Sequence, residues 1–185
     1  MATAAKLSRT LTAFIEQQHL FFVATAGGEG RVNVSPKGMN TLKIIDDNRI
    51  IWLNLSGSGN ETAAHVAENG RMTLMFCAFE GDARILRVYG NAKVTHFHDE
   101  KWQEKLADFP EIAGSRQVFE LEIDMVQSSC GTGVPIMEFK KDRADQELVP
   151  FYEEMGSDGV ADYWRRKNTV TIDGKPTGIF PAKDN

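Results

Sequence analysis

Leu7, Leu11, Phe14 and Ile15 recur at helical spacing near the start of the chain, which predicts an amphipathic helix over residues 7–18. The period then changes from helical to alternating. Residues 20–25 are short, apolar and rich in aromatic and β-branched side chains, and Gly27-Gly28-Glu29-Gly30 makes a turn. Residues 31–35 are predicted as the returning strand of a hairpin. On that strand Arg31, Asn33 and Ser35 share one face and Val32 and Val34 the other. Three polar side chains together predict a face turned to water. Pro36 is expected to end the pairing, with Lys37-Gly38 turning beyond it. Residues 42–45 and 49–55 read as a second hairpin around Asp46-Asp47-Asn48.

A helix is predicted over 60–69 with Gly70 as its C-cap. Residues 72–79 are apolar on both faces, as in a barrel wall or beneath a subunit interface. Residues 84–97 form a long strand on which Arg87 shares a face with Ile85 and Tyr89. Gly90 in its middle marks a bulge, a bend or a close approach. A short helix over 99–107 carries Trp102 and Leu106 one turn apart, a loop covers 110–114, and 117–125 alternates as the last major strand. Residues 128–135 read as a small-residue loop. A charged region follows, then helical patterns that end near residues 163–168. The chain shows no internal repeat or linker. These elements predict a mainly β fold with peripheral helices, built from consecutive antiparallel hairpins. It reads as a single domain over 1–185 that favours a barrel, with a C-terminal helical extension from about residue 136.

Composition narrows the function classes. The 185 residues are 42% apolar and 25% charged, with a net charge of -5, as in an ordinary soluble globular protein. An acidic balance argues against nucleic-acid and anionic-membrane partners, which need a basic footprint. Two cysteines, Cys77 and Cys130, lie far apart and outside any metal spacing, which fits a reducing compartment. Neither a signal peptide nor a membrane-length apolar run is apparent, so the expected location is cytoplasmic.

The stretch from Trp52 to Thr62 carries the most chemistry. An apolar strand passes through Gly57 and Gly59 into a helix start bearing Ser58, Asn60 and Thr62. Free amides and the positive end of a helix dipole suit an anion there. The Ser58–Glu61 spacing is equally that of a capping box. It is neither a Walker loop nor a dinucleotide fingerprint. His96 and His98 form a His-x-His pair without the further ligands that a metal site needs, so no metal is expected. Cys130 is either a reactive thiol or a small residue in a tight loop. Tyr163-Trp164-Arg165-Arg166-Lys167 reads as a basic helix end. Arg31, Asn33, Ser35, Lys37, the helix start and Arg87 remain as a cationic and polar set that could converge on one anionic group.

At these residues the chain resembles the pyridoxamine 5′-phosphate oxidase-like, FMN-binding split-barrel family. The resemblance runs from about residue 21 to 180. Its pieces are Arg31 to Gly38, Gly59 to Ala64, Arg87-Val88-Tyr89-Gly90, Ser129 to Pro135, and Lys167-Asn168 with Ile172-Asp173-Gly174. The resemblance implies a six-stranded antiparallel split β-barrel, dimeric, with FMN between subunits and hydride transfer through that flavin. By carry-over Arg31, Asn33, Ser35 and Lys37 would line the flavin and reach its phosphate. Asn54 would lie near the ring, Ser58, Asn60 and Thr62 would hold the phosphate at the helix start, and Arg87 would stand beside them. True oxidases carry an Arg-Lys pair where this chain has Glu61 and Thr62. The implied function is an FMN-dependent oxidoreductase acting with a small-molecule substrate or a nicotinamide donor. A non-catalytic flavin- or haem-binding module and a deazaflavin-dependent reductase are the alternatives.

Overall fold

The structure is a computed structural model, and it describes residues 2–181. Its strands are β1 (Ala2–Ala4), β2 (Phe21–Thr25), β3 (Asn33–Lys37), β4 (Leu42–Asp46), β5 (Arg49–Leu55), β6 (Arg71–Cys77), β7 (Arg84–His96) and β8 (Ser115–Cys130). The helices are α1 (Arg9–Glu16), α2 (Glu61–Asn69), α3 (Trp102–Leu106) and α4 (Leu148–Lys167). All strand pairs are antiparallel, in the order β3-β2-β6-β7-β8-β5-β4, with β1 added to β8.

Six strands were expected, and the sheet has eight and does not close. One strand was not foreseen and another is longer than expected. β1 is Ala-Thr-Ala, too short to carry a period, and exists because Ala4 and Ala2 pair with Val126 and Ser128. β8 runs on to Cys130 because Arg84 to Arg87 of β7 continue to pair with it. The supposed small-residue loop at 128–130 is therefore strand. The sheet ends, β3 and β4, form no ladder together, yet Lys37 Nζ lies 5.6 Å from the ring of Trp52 on β5. The seam between these ends is the opening of the fold.

Pro36 does not stop β3. It pairs with Phe22, and Lys37 pairs with Phe21. An edge strand tolerates proline because the missing N–H is needed by no second neighbour. The same register decides which side of β3 faces inward. Asn33, Ser35 and Lys37 lie opposite Thr25, Val23 and Phe21, and paired residues share a face. The polar side thus meets the core. Val32 and Val34, 71% and 60% exposed, point outward. The expectation of a solvated polar face is reversed by the partner strand.

The inner face is apolar elsewhere. Val23, Ile50, Trp52, Leu74, Leu86, Val88, Phe119 and Leu121 are fully buried, and Trp52 stacks on Phe119 at 4.5 Å. Burying each such side chain contributes roughly 1.5–3 kcal/mol. On β6 only Met72, Leu74 and Phe76 face this core, while Thr73 and Met75 are half-buried, so its outer side is less covered than the apolar run implied. In α1, Ser8 accepts from Leu11 N at 3.3 Å and starts the helix at Arg9. α2 ends at Gly70, whose φ of 69° and N–H bond to Val66 O close the last turn. The register slips between Tyr89 and Gly90, where a Cβ would stand 2.0 Å from Glu122 O. α4 kinks at Gly156 (φ 65°), and its last turn carries Arg165, Arg166 and Lys167. No helix among the described residues is long and apolar enough to cross a membrane.

Candidate functional site

The inward polar face of β3 meets the first turn of α2. Asn33 Nδ2 donates to Thr62 Oγ1 at 3.1 Å and lies 3.5 Å from Thr25 Oγ1. Thr25 Oγ1 in turn bonds His65 Nδ1 at 3.1 Å. One turn along the strand, Lys37 Nζ donates to Ser35 Oγ at 2.7 Å. Burial holds the Lys37 amine down to about 8, and the charge of Arg116 pushes in the same direction.

Arg116, at the start of β8, was not among the residues expected here. It is 3% exposed, and burial lowers its guanidinium to about 10. Its Nη2 donates to Gly59 O at 2.9 Å, just before α2, while Nη1 is buried without a hydrogen-bond partner. With the Asn54 amide turned so that its oxygen faces the guanidinium, Asn54 accepts from Nη2 and Nε at 3.1 and 3.2 Å. Asn54 also contacts Gln117, which reaches His96 Nδ1 at 3.3 Å. Burial keeps His96 neutral by lowering it to about 4. Among the described residues, no carboxylate pairs with either Lys37 or Arg116 within 4.0 Å. Glu61 acts on Arg116 only at longer range.

Asn33, Ser35, Lys37, Asn54 and Thr62 therefore line one region, with Asn60 at its border. Asn60 is the N-cap of α2 but makes no side-chain cap bond. Its Nδ2 donates to Asn168 O at 3.2 Å, and its Oδ1 is buried and unpaired. Three expected residues are elsewhere. Ser58 is exposed and caps nothing, so the capping box does not form. Arg87 pairs with Met75 and Gln127, on the outer face of the sheet, and approaches Ser129 Oγ at 3.4 Å. Strand alternation alone separates it from the inner face. Arg31 precedes β3 and is bound through its backbone and side chain to Asp173.

The segment after α4 closes over the start of α2. Asn168 Nδ2 donates to Gly57 O at 2.8 Å, Trp164 Nε1 to Ser56 Oγ at 2.6 Å, and Ile172 N to Glu61 Oε1 at 3.3 Å. These contacts tie the segment to the loop before α2 through acceptors on Ser56, Gly57 and Glu61. A lone arginine between a loop and an apolar strand is the one signal that pointed to Arg116, and nothing in its spacing marks it as buried. Cys130 is exposed and Cys77 buried, both free. No group of three or more His, Cys, Asp or Glu side chains converges among the described residues.

Comparison with known proteins identifies the lineage of this open antiparallel sheet. Residues 7–130 match the family model described as pyridoxamine 5′-phosphate oxidase. The chain is 32% identical, over 95% of its length and 77% of the relative's, to the pyridoxamine 5′-phosphate oxidase family protein ustO of Aspergillus flavus. The chain belongs to the pyridoxamine 5′-phosphate oxidase family. Solved structures agree on the fold. A candidate pyridoxamine 5′-phosphate oxidase from Lactobacillus delbrueckii gives a TM-score of 0.54 at 20% identity, covering 69% of this chain and 99% of that one. A pyridoxamine 5′-phosphate oxidase-related, FMN binding protein from Nostoc punctiforme gives 0.51 at 11% identity, covering 71% and 89%.

Proposed function

We propose that the chain is a flavin-dependent oxidoreductase that holds FMN non-covalently along the inner side of β3. The observation that carries this reading is the convergence of Asn33, Ser35, Lys37 and Thr62 on the seam, with donors facing inward where a sheet would ordinarily present apolar side chains. Such a set fits the oxygen- and nitrogen-rich edge of a flavin. The FMN binding of the Nostoc relative supports the choice of cofactor. Bound FMN would supply two-electron chemistry that no side chain of the protein can.

The chain's own residues bind and orient. Asn33 and Ser35 offer polar contacts at fixed spacing along the strand, and Trp52 walls the seam against water beneath Lys37. Lys37 holds or releases a proton near neutral pH, because burial has brought its amine into that range. Beside it, a groove of about 540 Å³ bordered by Leu20, Met39, Arg143 and Phe151 offers a small-molecule substrate or a nicotinamide donor an approach to the same lysine. A homodimer with the flavin at the subunit boundary is part of the proposal. It is supported by Val32, Val34 and Pro36, an exposed apolar edge on the outside of the strand that carries the site. Pyridoxamine phosphate oxidation itself is not proposed, since Glu61 stands where those oxidases have a cation.

The test is the visible spectrum of the purified protein titrated with FMN, beside a Lys37→Met, Thr62→Ala variant. A flavin band shifted by the wild type and weakened in the variant, followed by anaerobic bleaching with a reduced nicotinamide, is the expected result. Flavin bound but reduced by no donor would reduce the protein to a flavin-holding module. Binding of deazaflavin or haem in place of FMN would discard the reading. The haem alternative draws no support from His65 or His96, which are buried in hydrogen bonds.

A further inference from the structure

The turn that joins β3 to β4 connects the two ends of the sheet across the open seam. It holds two residues in the left-handed region, Met39 at φ 65° and Asn40 at φ 53°. Asparagine adopts that region readily, but methionine does so at a cost. Left-handed pairs ordinarily serve hairpins, whose twist they match. No hairpin is served here, because β3 and β4 do not pair with each other. The turn is nonetheless fixed. Thr41 Oγ1 donates to Gly38 O at 2.8 Å, and Leu53 N donates to Thr41 O at 2.8 Å. Strain that is held in place without a ladder to serve directs attention to the side chain it positions.

That side chain lines the groove of about 540 Å³ beside Lys37. Phe151 of α4 lines the same groove. Its ring is 51% exposed, yet it stands edge-on to the buried Tyr152 at 5.1 Å, which restrains it. A thioether and a restrained aromatic ring both make favourable contacts with a flat ring. The ionisable side chains of the groove are Lys37 and Arg143 against Asp142 and Glu147, two of each sign. This balance favours an occupant without net charge, and the volume suits a small molecule.

We infer that Met39 and Phe151 grip a planar, uncharged aromatic small molecule in this groove, and that the strained turn persists because it presents Met39 to that ring. Calling the molecule a substrate rests on the flavin reading. Its binding does not.

The experiment uses the whole chain, as wild type, M39G and F151A, with and without saturating FMN. Calorimetric titrations compare 2-naphthol with its saturated counterpart decahydro-2-naphthol and with the charged 2-naphthoate, and melting curves accompany them. The wild type is expected to bind 2-naphthol about tenfold or more tightly than either analogue, and each variant to lose about tenfold in 2-naphthol affinity. Glycine accepts the left-handed backbone freely, so M39G is expected to melt about 2–4 °C above the wild type while binding less well. A methionine that merely packs gives the reverse, a lower melting temperature with unchanged binding. Either half of that reverse result overturns the inference. So does 2-naphthol affinity unchanged in F151A, or a wild type that binds the three probes alike or binds none. Displacement of 2-naphthol by FMN would put the ring in the flavin's own place and overturn it too. The visible spectrum reads FMN binding separately. A protein that takes no FMN yet discriminates the probes defeats the proposed function alone, and one that takes FMN without discriminating defeats this inference alone.

Discussion

Asp173 folds back onto Arg31 across 142 residues of sequence, accepting the Arg31 backbone N–H at 2.7 Å and pairing with its guanidinium. Lys175 repeats the connection beside it, bonding Glu68 at 2.5 Å and Glu29 O at 3.1 Å. The segment after α4 is thereby tied across the β2–β3 turn and the end of α2. Arg31 is engaged in holding it.

This tie is expected to loosen in acid. The Arg31 N–H, helped by its side chain, holds the Asp173 carboxyl below the usual range, and the Lys175 ammonium does the same for Glu68. For a carboxyl depressed in the folded state, the stabilisation is present above its unfolded pKa and lost as pH falls through its folded one. Amide protection factors at residues 171–177, corrected for the intrinsic pH dependence of exchange, are expected to be high at pH 7 and to fall below about pH 4. D173N is expected to show low protection at both values. Equal protection in D173N and wild type at pH 7 would remove the tie.

Lys37 works in the opposite sense. Its folded value of about 8 lies below the ordinary 10.5, so between these values the unfolded chain holds a proton that the folded protein has lost. Stability is therefore expected to rise with pH over that window, and the contribution is absent in K37M. Urea unfolding at pH 7.5, 9 and 10 reads the difference between the two proteins. Parallel profiles would mean that the amine titrates normally.

Gly90 has no room for a side chain, because the strand slips there and Glu122 O lies 2.0 Å from where a Cβ would be. G90A is expected to cost about 1–3 kcal/mol, seen as a lower urea midpoint at unchanged slope. A neutral effect would show that β7 and β8 separate there at little cost.

Trp164 and Ser56 anchor α4 through a buried bond of 2.6 Å. S56A strands the indole N–H and is expected to cost about 1–3 kcal/mol. Adding W164F removes the orphaned donor, so the double variant is expected to lose less than the sum of the two single ones. Strict additivity would mean that the bond contributes nothing.

Much of the architecture was legible in the chain. Alternation located the hairpins, Gly70 marked the end of α2, and Gly90 marked the slip in β7, because each reflects a local backbone requirement that neighbouring residues express directly. The order and spacing of the motifs together, from Arg31 to Gly38 through to Ile172-Asp173-Gly174, placed the chain in its family. β1 escaped because three small residues acquire strand structure only from β8.

The site was less legible. Alternation divides β3 into a polar and an apolar face but cannot say which is covered, and only pairing with Phe21, Val23 and Thr25 turned Asn33, Ser35 and Lys37 inward. The same alternation put Arg87 on the outer side, away from them. Arg116 and Asp173 gain their significance from partners that are distant in sequence, Gly59 and Arg31. Local periodicity is set by neighbours along the chain, so the chain alone determined the elements and the lineage. Burial and charge pairing are set by neighbours in space, so the tertiary structure decided which polar groups meet, which cations are already neutralised, and which are left for a ligand.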